Sequence, residues 1–218
     1  MRHTSLFVVM AAMLAASPST AADIDALGDV RITIRSYDNT TLPSADRLSA
    51  IATATKILKA AGLTVEWRAC EAAFVRAPED LCTTPLGRNE LALRFVVLPP
   101  SPDTNGNVAL GYSLVDTQTR GGSLATVYVD RVAGLARTCR IDARSLLGRT
   151  IAHEIGHLLL GTMNHAPSGL MRAVWSAEAI RRSRAGDWLF TPREGRAMRD
   201  AVRTRAAQQL AAHIVWGD

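Results

Sequence analysis

The stretch from Asp142 to Gly161 constrains this chain more than any other. Leu146, Leu147, Ile151, Ala152, Ile155, Leu158 and Leu159 cover most sides of an α-helix there, not a single stripe. Such a helix has to lie inside the molecule with other layers packed around it. Gly161 follows as a residue that can end the helix without a Cβ penalty. Into this apolar helix the sequence sets His153, Glu154 and His157. Two imidazoles and a carboxylate contribute nothing apolar to a core, and burying them costs free energy unless they are partnered.

Their spacing points to a metal. Residues four apart on a helix share one face, with Cβ atoms about 5–6 Å apart, so His153 and His157 can converge on one ion with Zn–N bonds of about 2.0–2.1 Å. Glu154 leaves from a neighbouring face, where its carboxylate can reach a metal-activated water without becoming a ligand; that division of labour is the logic of His-Glu-x-x-His. A catalytic zinc site takes three protein ligands and leaves a position for water. His165 is the expected third ligand, because the chain can turn at Gly161 and return through Thr162, Met163 and Asn164. Of the five histidines, three fall within thirteen positions. The expected cofactor is therefore Zn2+.

The remaining sequence suggests the frame. Val30 to Arg35 alternates like a half-buried strand. Ser44 is placed to cap a helix with Leu48, Ile51, Thr55 and Leu58 on its apolar face, and Gly62 to end it in a left-handed conformation. Strands are expected at Thr64 to Trp67 and at Leu91 to Leu98, the latter halted by Pro99 and Pro100. A turn-rich loop from Ser101 to Asn107 should follow. Two shorter strands, Ala109 to Val115 and Ala125 to Val129, should be joined around Gly121-Gly122. Near the end, Thr191-Pro192-Arg193-Glu194 combines an N-cap, a first-turn proline and a capping-box glutamate. Met198, Val202, Ala206 and Leu210 then recur every fourth residue as a core-facing stripe. The fold class expected is α+β: a small twisted mixed sheet, a buried zinc-binding helix and a C-terminal helical lobe.

The start of the chain reads as an export signal. Arg2 and His3 are basic, Leu6 to Ala16 is apolar, and Ser19-Thr20-Ala21-Ala22 offers small residues for cleavage. An apolar run of about 11 residues is too short for a bilayer core that needs about 20. Residues 1–22 are thus expected to be a signal peptide cleaved near Ala21 or Ala22, leaving residues 23–218 as one secreted or periplasmic domain with no membrane span. In an oxidising compartment Cys70 and Cys82 are the first candidates for a disulfide. Cys139 could instead take one of them, or remain a buried free thiol. The net charge of +5 is spread along the chain. No basic block is interleaved with aromatics, which argues against nucleic acid as a partner. Arg181-Arg182-Ser183-Arg184 reads as a solvated face.

His153-Glu154-Ile155-Gly156-His157-Leu158-Leu159-Leu160-Gly161, then His165, then Ser168-Gly169-Leu170-Met171, resembles the metzincin clan of zinc metallopeptidases, and most its matrixin branch. The resemblance covers Asp142 to Met171. It implies a peptidase with a peptide or protein substrate, Glu154 as general base, and Met171 as the methionine of a turn beneath the metal. It also implies a substrate lying extended along an edge strand, for which Ala109 to Val115 is the candidate. The chain departs from the clan pattern in spacing: Gly161 follows His157 by four residues rather than three, and His165 by eight rather than six. An alternative within zinc peptidases, the gluzincin layout, would use Glu178 as third ligand, but Arg182 stands where that family has a supporting acid. A non-catalytic secreted zinc module on a degenerate peptidase scaffold is the alternative from another class. The presence of Glu154 argues against it.

Overall fold

The computed structural model describes residues 30–70, 82–98, 108–182 and 184–216, with the backbone alone for 212–216. The expected signal peptide and the Ser101–Asn107 loop lie outside these residues. Five strands form one sheet: β1 (Arg31–Asp38), β2 (Thr64–Ala69), β3 (Glu90–Val96), β4 (Gly111–Asp116) and β5 (Gly121–Tyr128), in the order β2-β1-β3-β5-β4. The pairs β1·β2, β1·β3 and β3·β5 are parallel, and β4 alone is antiparallel, running along the sheet's edge beside β5. The helices are α1 (Ser44–Ala60), α2 (Val129–Cys139), α3 (Ala143–Leu160), α4 (Ala177–Arg182) and α5 (Pro192–Trp216), with a 3-10 turn at Ala185–Trp188. This is the mixed α+β arrangement expected, with a C-terminal helical segment after the buried helix.

Helix α3 is that buried helix. All its residues from Ile151 to Leu159 are buried, as a helix apolar on most sides requires. Asp142 caps it, accepting from the Arg144 N–H at 3.3 Å. Helix α1 crosses it where Gly148 carries no side chain: a Cβ there would lie 2.5 Å from the Ala50 carbonyl oxygen and 2.5 Å from Thr53 Cβ. This close crossing corrects the expected face of α1. Its buried residues are Ala50, Ala54, Ile57 and Leu58, while Leu48 is 63% exposed. Small alanines let the two helices approach, whereas Leu48 would hold them apart. Ser44 is also one position inside the helix, not its cap, because the Pro43 carbonyl already accepts from the Asp46 and Arg47 N–H groups. At the other end Gly62 is left-handed as expected, and the Leu63 N–H returns to the Leu58 carbonyl at 3.1 Å.

Three further expectations need correction. Gly121 and Gly122 belong to β5, not to the loop, and the connection is made by residues 117–120 with Arg120 left-handed. A Cβ on Gly122 would meet the Leu114 carbonyl oxygen at 2.4 Å, so the glycine serves close strand pairing rather than a turn. The expected strand ending at Val129 instead hands over directly to α2, which buries Val132, Ala136 and Cys139. With no glycine or proline between strand and helix, and Arg140 rather than glycine in the left-handed cap, the usual punctuation is missing. Finally, α5 buries Met198 and Val202, but Ala206 is exposed and Leu210 is 64% exposed. The stripe is periodic along its whole length, yet its apolar packing ends after Val202; beyond it Arg205 donates to the Gly122 carbonyl at 2.6 Å and Gln209 accepts from the Asn89 N–H at 3.1 Å. The capping box itself forms: the Thr191 N–H donates to Glu194 Oε2 at 2.7 Å, and the Glu194 N–H to Thr191 Oγ1 at 3.3 Å.

Cys70 and Cys82 form a disulfide, and Cys139 is a buried free thiol. No helix among the described residues is long and apolar enough to cross a membrane.

Candidate active site

The three histidines meet. One ring nitrogen from each of His153, His157 and His165 lies within 4.8 Å of the others. His153 and His157 are buried, and His165 is exposed above them. The two α3 imidazoles stand almost perpendicular, with centroids 4.7 Å apart. His165 stacks on His153 at 5.4 Å and meets His157 edge-on at 4.9 Å.

The backbone orients both buried rings. His153 Nδ1 lies 2.9 Å from the Leu170 carbonyl oxygen, and His157 Nδ1 lies 2.7 Å from that of Thr162. A carbonyl only accepts, so each Nδ1 carries the hydrogen and each Nε2 is left with a bare lone pair. Those two Nε2 atoms face each other at 3.1 Å. Two lone pairs at that separation repel unless a cation lies between them. Protonation is disfavoured, because burial, with the neighbouring histidines, pushes His153 down to about 4, and burial with His165 lowers His157. A metal answers the geometry: two bonds of about 2.0–2.1 Å at a tetrahedral angle span about 3.3–3.4 Å between nitrogens. Carbonyls fixing the far side of ligand imidazoles are the usual outer support of a zinc site. The set fits Zn2+.

The longer connection to His165 folds locally. Gly161 is left-handed at φ +62° and accommodates the reversal after α3. Thr162 Oγ1 accepts from the Asn164 N–H at 3.0 Å, closing a short side-chain turn. The Ala166 N–H then donates to the Met171 carbonyl at 2.8 Å, and Ala166 and Arg172 form an isolated parallel bridge. Against the expected spacing, one extra residue thus lies before Gly161, at the end of α3, and the other in the Thr162–Asn164 turn. Met171 is buried, with its sulfur where a Cβ on Gly156 would be 2.7 Å away, so it packs on the flank of the histidine-bearing helix. Glu178 lies elsewhere: it is 69% exposed, paired with Arg182 at 3.0 Å, and outside the histidine cluster.

Glu154 is held by the edge strand. Along β4, Gly111 and Ser113 turn inward, while Tyr112 and Leu114 are 52% and 56% exposed. Ser113 Oγ lies 2.6 Å from Glu154 Oε2 and 2.8 Å from the Glu154 carbonyl oxygen. A side chain on Gly111 would meet Glu154 Oε1 at 2.6 Å, so only glycine leaves the carboxylate its place. Burial drives the Glu154 carboxyl up to about 7, and the Ser113 hydrogen bond offsets this in part. Nothing in the sequence ties Ser113 or Gly111 to a glutamate some forty positions on. The available signal was the alternation of β4, which separates that pair from Tyr112 and Leu114.

Histidines and glutamate lie at one cleft of about 870 Å³, walled by β4 residues Gly111 and Tyr112, by Leu135 of α2, and by Val174 and Trp175 beyond Met171. Trp175 stands edge-on to His153 at 5.4 Å and donates to the Leu170 carbonyl at 3.3 Å.

No protein-family profile matches the sequence, and no curated protein matches it. Among the solved structures that overlap the fold in part are two from archaeal sources. The crystal structure of archaemetzincin from Methanopyrus kandleri has a TM-score of 0.48 and 14% identity, covering 80% of this chain and 97% of that one. A zinc-dependent peptidase from Methanocorpusculum labreanum has a TM-score of 0.48 and 14% identity, covering 76% of this chain and 99% of that one. Overlap at that level leaves function to be argued from the site's own chemistry.

Proposed function

We propose that this chain is a zinc-dependent endopeptidase of metzincin type, exported after removal of residues 1–22 and acting as a single domain. The observation that carries the reading is the facing pair of bare Nε2 atoms, 3.1 Å apart beneath His165 and beside a buried carboxylate in an open cleft. His153, His157 and His165 would hold the ion, and Met171 would serve as the floor residue of a methionine turn. Zinc bound there supplies Lewis acidity toward a scissile carbonyl and a water acidic enough to attack near neutral pH.

The protein's own groups then handle the proton. Glu154 receives it at Oε1, the oxygen that Ser113 does not occupy, and returns it to the leaving amine. Ser113 suits both states of Glu154. Its single hydrogen can stay on Oε2, which accepts whether Oε1 is bare or protonated, and the Glu154 carbonyl is a second acceptor 2.8 Å from Oγ. Burial raises the carboxyl above its ordinary value, which makes the carboxylate a stronger base. The edge of β4 turned away from β5 has no strand partner among the described residues, and an extended peptide can lie there as an added strand.

Two substitutions test the roles. Glu154→Ala should abolish peptide cleavage while zinc, measured by elemental analysis after dialysis, stays at wild-type stoichiometry. His165→Ala should lose most of its zinc. Full zinc occupancy in His165→Ala together with loss in Glu178→Ala would replace this ligand set with the gluzincin one. If the zinc-loaded protein cuts nothing in a broad peptide library, the non-catalytic zinc module is the better description.

A further inference from the structure

Two arginines line the cleft, and they are committed differently. Arg131 donates from Nη1 to the Ala109 carbonyl at 3.0 Å and lies over the Tyr128 ring, 4.7 Å from its centre. Arg172 lies 5.5 Å from the centre of the Trp188 ring, a contact that occupies the guanidinium but none of its N–H groups. Its Nε and Nη2 are enclosed with no hydrogen-bond partner among the described residues. The cleft's acidic side chains are engaged elsewhere: Asp130 accepts from the Leu98 N–H at 3.3 Å, and Glu154 is held by Ser113. A guanidinium stays charged at every ordinary pH, and enclosing its donors unused is costly. Such a group in a cleft is built to be completed by something that enters.

Its position is fixed from two sides. The backbone bridge to Ala166 sets Arg172 beside the residue that follows His165, so the cation and the third imidazole rise from paired segments. Trp188 is held in turn by Arg149 at 4.1 Å on its ring and by Trp175 edge-on at 5.1 Å, and Trp175 abuts His153. A chain of ring contacts thus runs from His153 through Trp175 and Trp188 to Arg172 and joins the guanidinium to the wall that holds the histidines. A planar fork held in this way matches a carboxylate.

We infer that Arg172 is a substrate-recognition residue that takes a substrate carboxylate in the cleft that holds the histidines. That the substrate is a peptide rests on the peptidase reading; that Arg172 takes an anion does not. Two sources supply that chemistry, an internal Asp or Glu side chain and a free peptide C-terminus. The probes are short hydroxamate-headed peptides in four forms: internal Glu or Gln, each with a C-terminal acid or amide. Affinity is read from the fluorescence of the tryptophans, two of which, Trp175 and Trp188, adjoin the site, in zinc-loaded and metal-free protein.

One carboxylate form should bind about tenfold or more tightly than its amide counterpart, and the arm showing the contrast names the source. Arg172→Gln should remove the contrast while melting and zinc stoichiometry stay near wild type. Arg172→Lys, which keeps charge without the fork, should retain part of it. Equal affinity of acid and amide forms in the wild type, or a contrast that survives Arg172→Gln, overturns the inference. Absence of zinc binding would sink the peptidase reading instead, and the contrast in metal-free protein would still decide the role of Arg172.

Discussion

Gly111→Ala isolates the placement of the Glu154 carboxylate from its chemistry. The added Cβ would lie 2.6 Å from Oε1, 2.7 Å from Cγ and 2.8 Å from Cδ of Glu154. Carbon contacts settle at about 3.5–4.0 Å, so the carboxylate must retreat by about 1 Å. A misplacement of that size at a reacting group costs on the order of 10²-fold in rate. The backbone should tolerate the change, since alanine in a strand loses less conformational freedom on folding than glycine, by roughly 0.5–1 kcal/mol. The three atoms nearest the new methyl all belong to Glu154 rather than to an imidazole, so zinc should stay. Cleavage of a quenched fluorescent peptide should therefore show kcat reduced by about two orders of magnitude, with KM changed little, alongside an unchanged melt and zinc content. If Gly111→Ala turns over at the wild-type rate with its zinc in place, Glu154 does not act from the position described, and the general-base assignment fails with it.

Two further predictions concern stability. Arg35 is buried and paired with Glu90, whose carboxyl also accepts from the Gly87 N–H at 2.7 Å. Burial by itself would raise the Glu90 carboxyl, but the bonds from Arg35 and Gly87 outweigh it and hold the group below its ordinary value. A depressed acid contributes stability above its unfolded pKa and loses it as pH falls through the folded one. Glu90→Gln should thus cost on the order of 1–3 kcal/mol at pH 7. Urea midpoints should show that gap closing below about pH 4, and a gap that persists unchanged at pH 3 would refute the linkage. On α5, Met198→Ala should cost about 2–5 kcal/mol, while Leu210→Ala, at a position 64% exposed, should shift the urea midpoint hardly at all. Equal costs at the two positions would mean that the helix is packed along its whole length.

Much of this architecture is legible in the sequence, where local chemistry dictates local structure. The apolar surround of α3 forces that helix inside, and the i, i+4 histidines share a face whatever packs around them. The Thr191–Glu194 capping box and the left-handed Gly62 and Gly161 are short-range devices that need no partner from elsewhere. Where periodicity depends on a neighbour, the sequence is ambiguous. Leu48 and Leu210 repeat on schedule but face water, because the packing favours alanine at the first and the helix meets the body through polar side chains at the second. Helix α2 escapes notice because no breaker separates it from β5. The active site divides in the same way. His153, Glu154 and His157 are set by one helix, and His165 is brought to them by a turn only eight residues on. Ser113, Gly111 and the Leu170 carbonyl come from segments distant in sequence. Only the docking of an edge strand against α3, and of the segment after His165 beneath it, decides which oxygen of Glu154 is free and which nitrogen of His153 is bare.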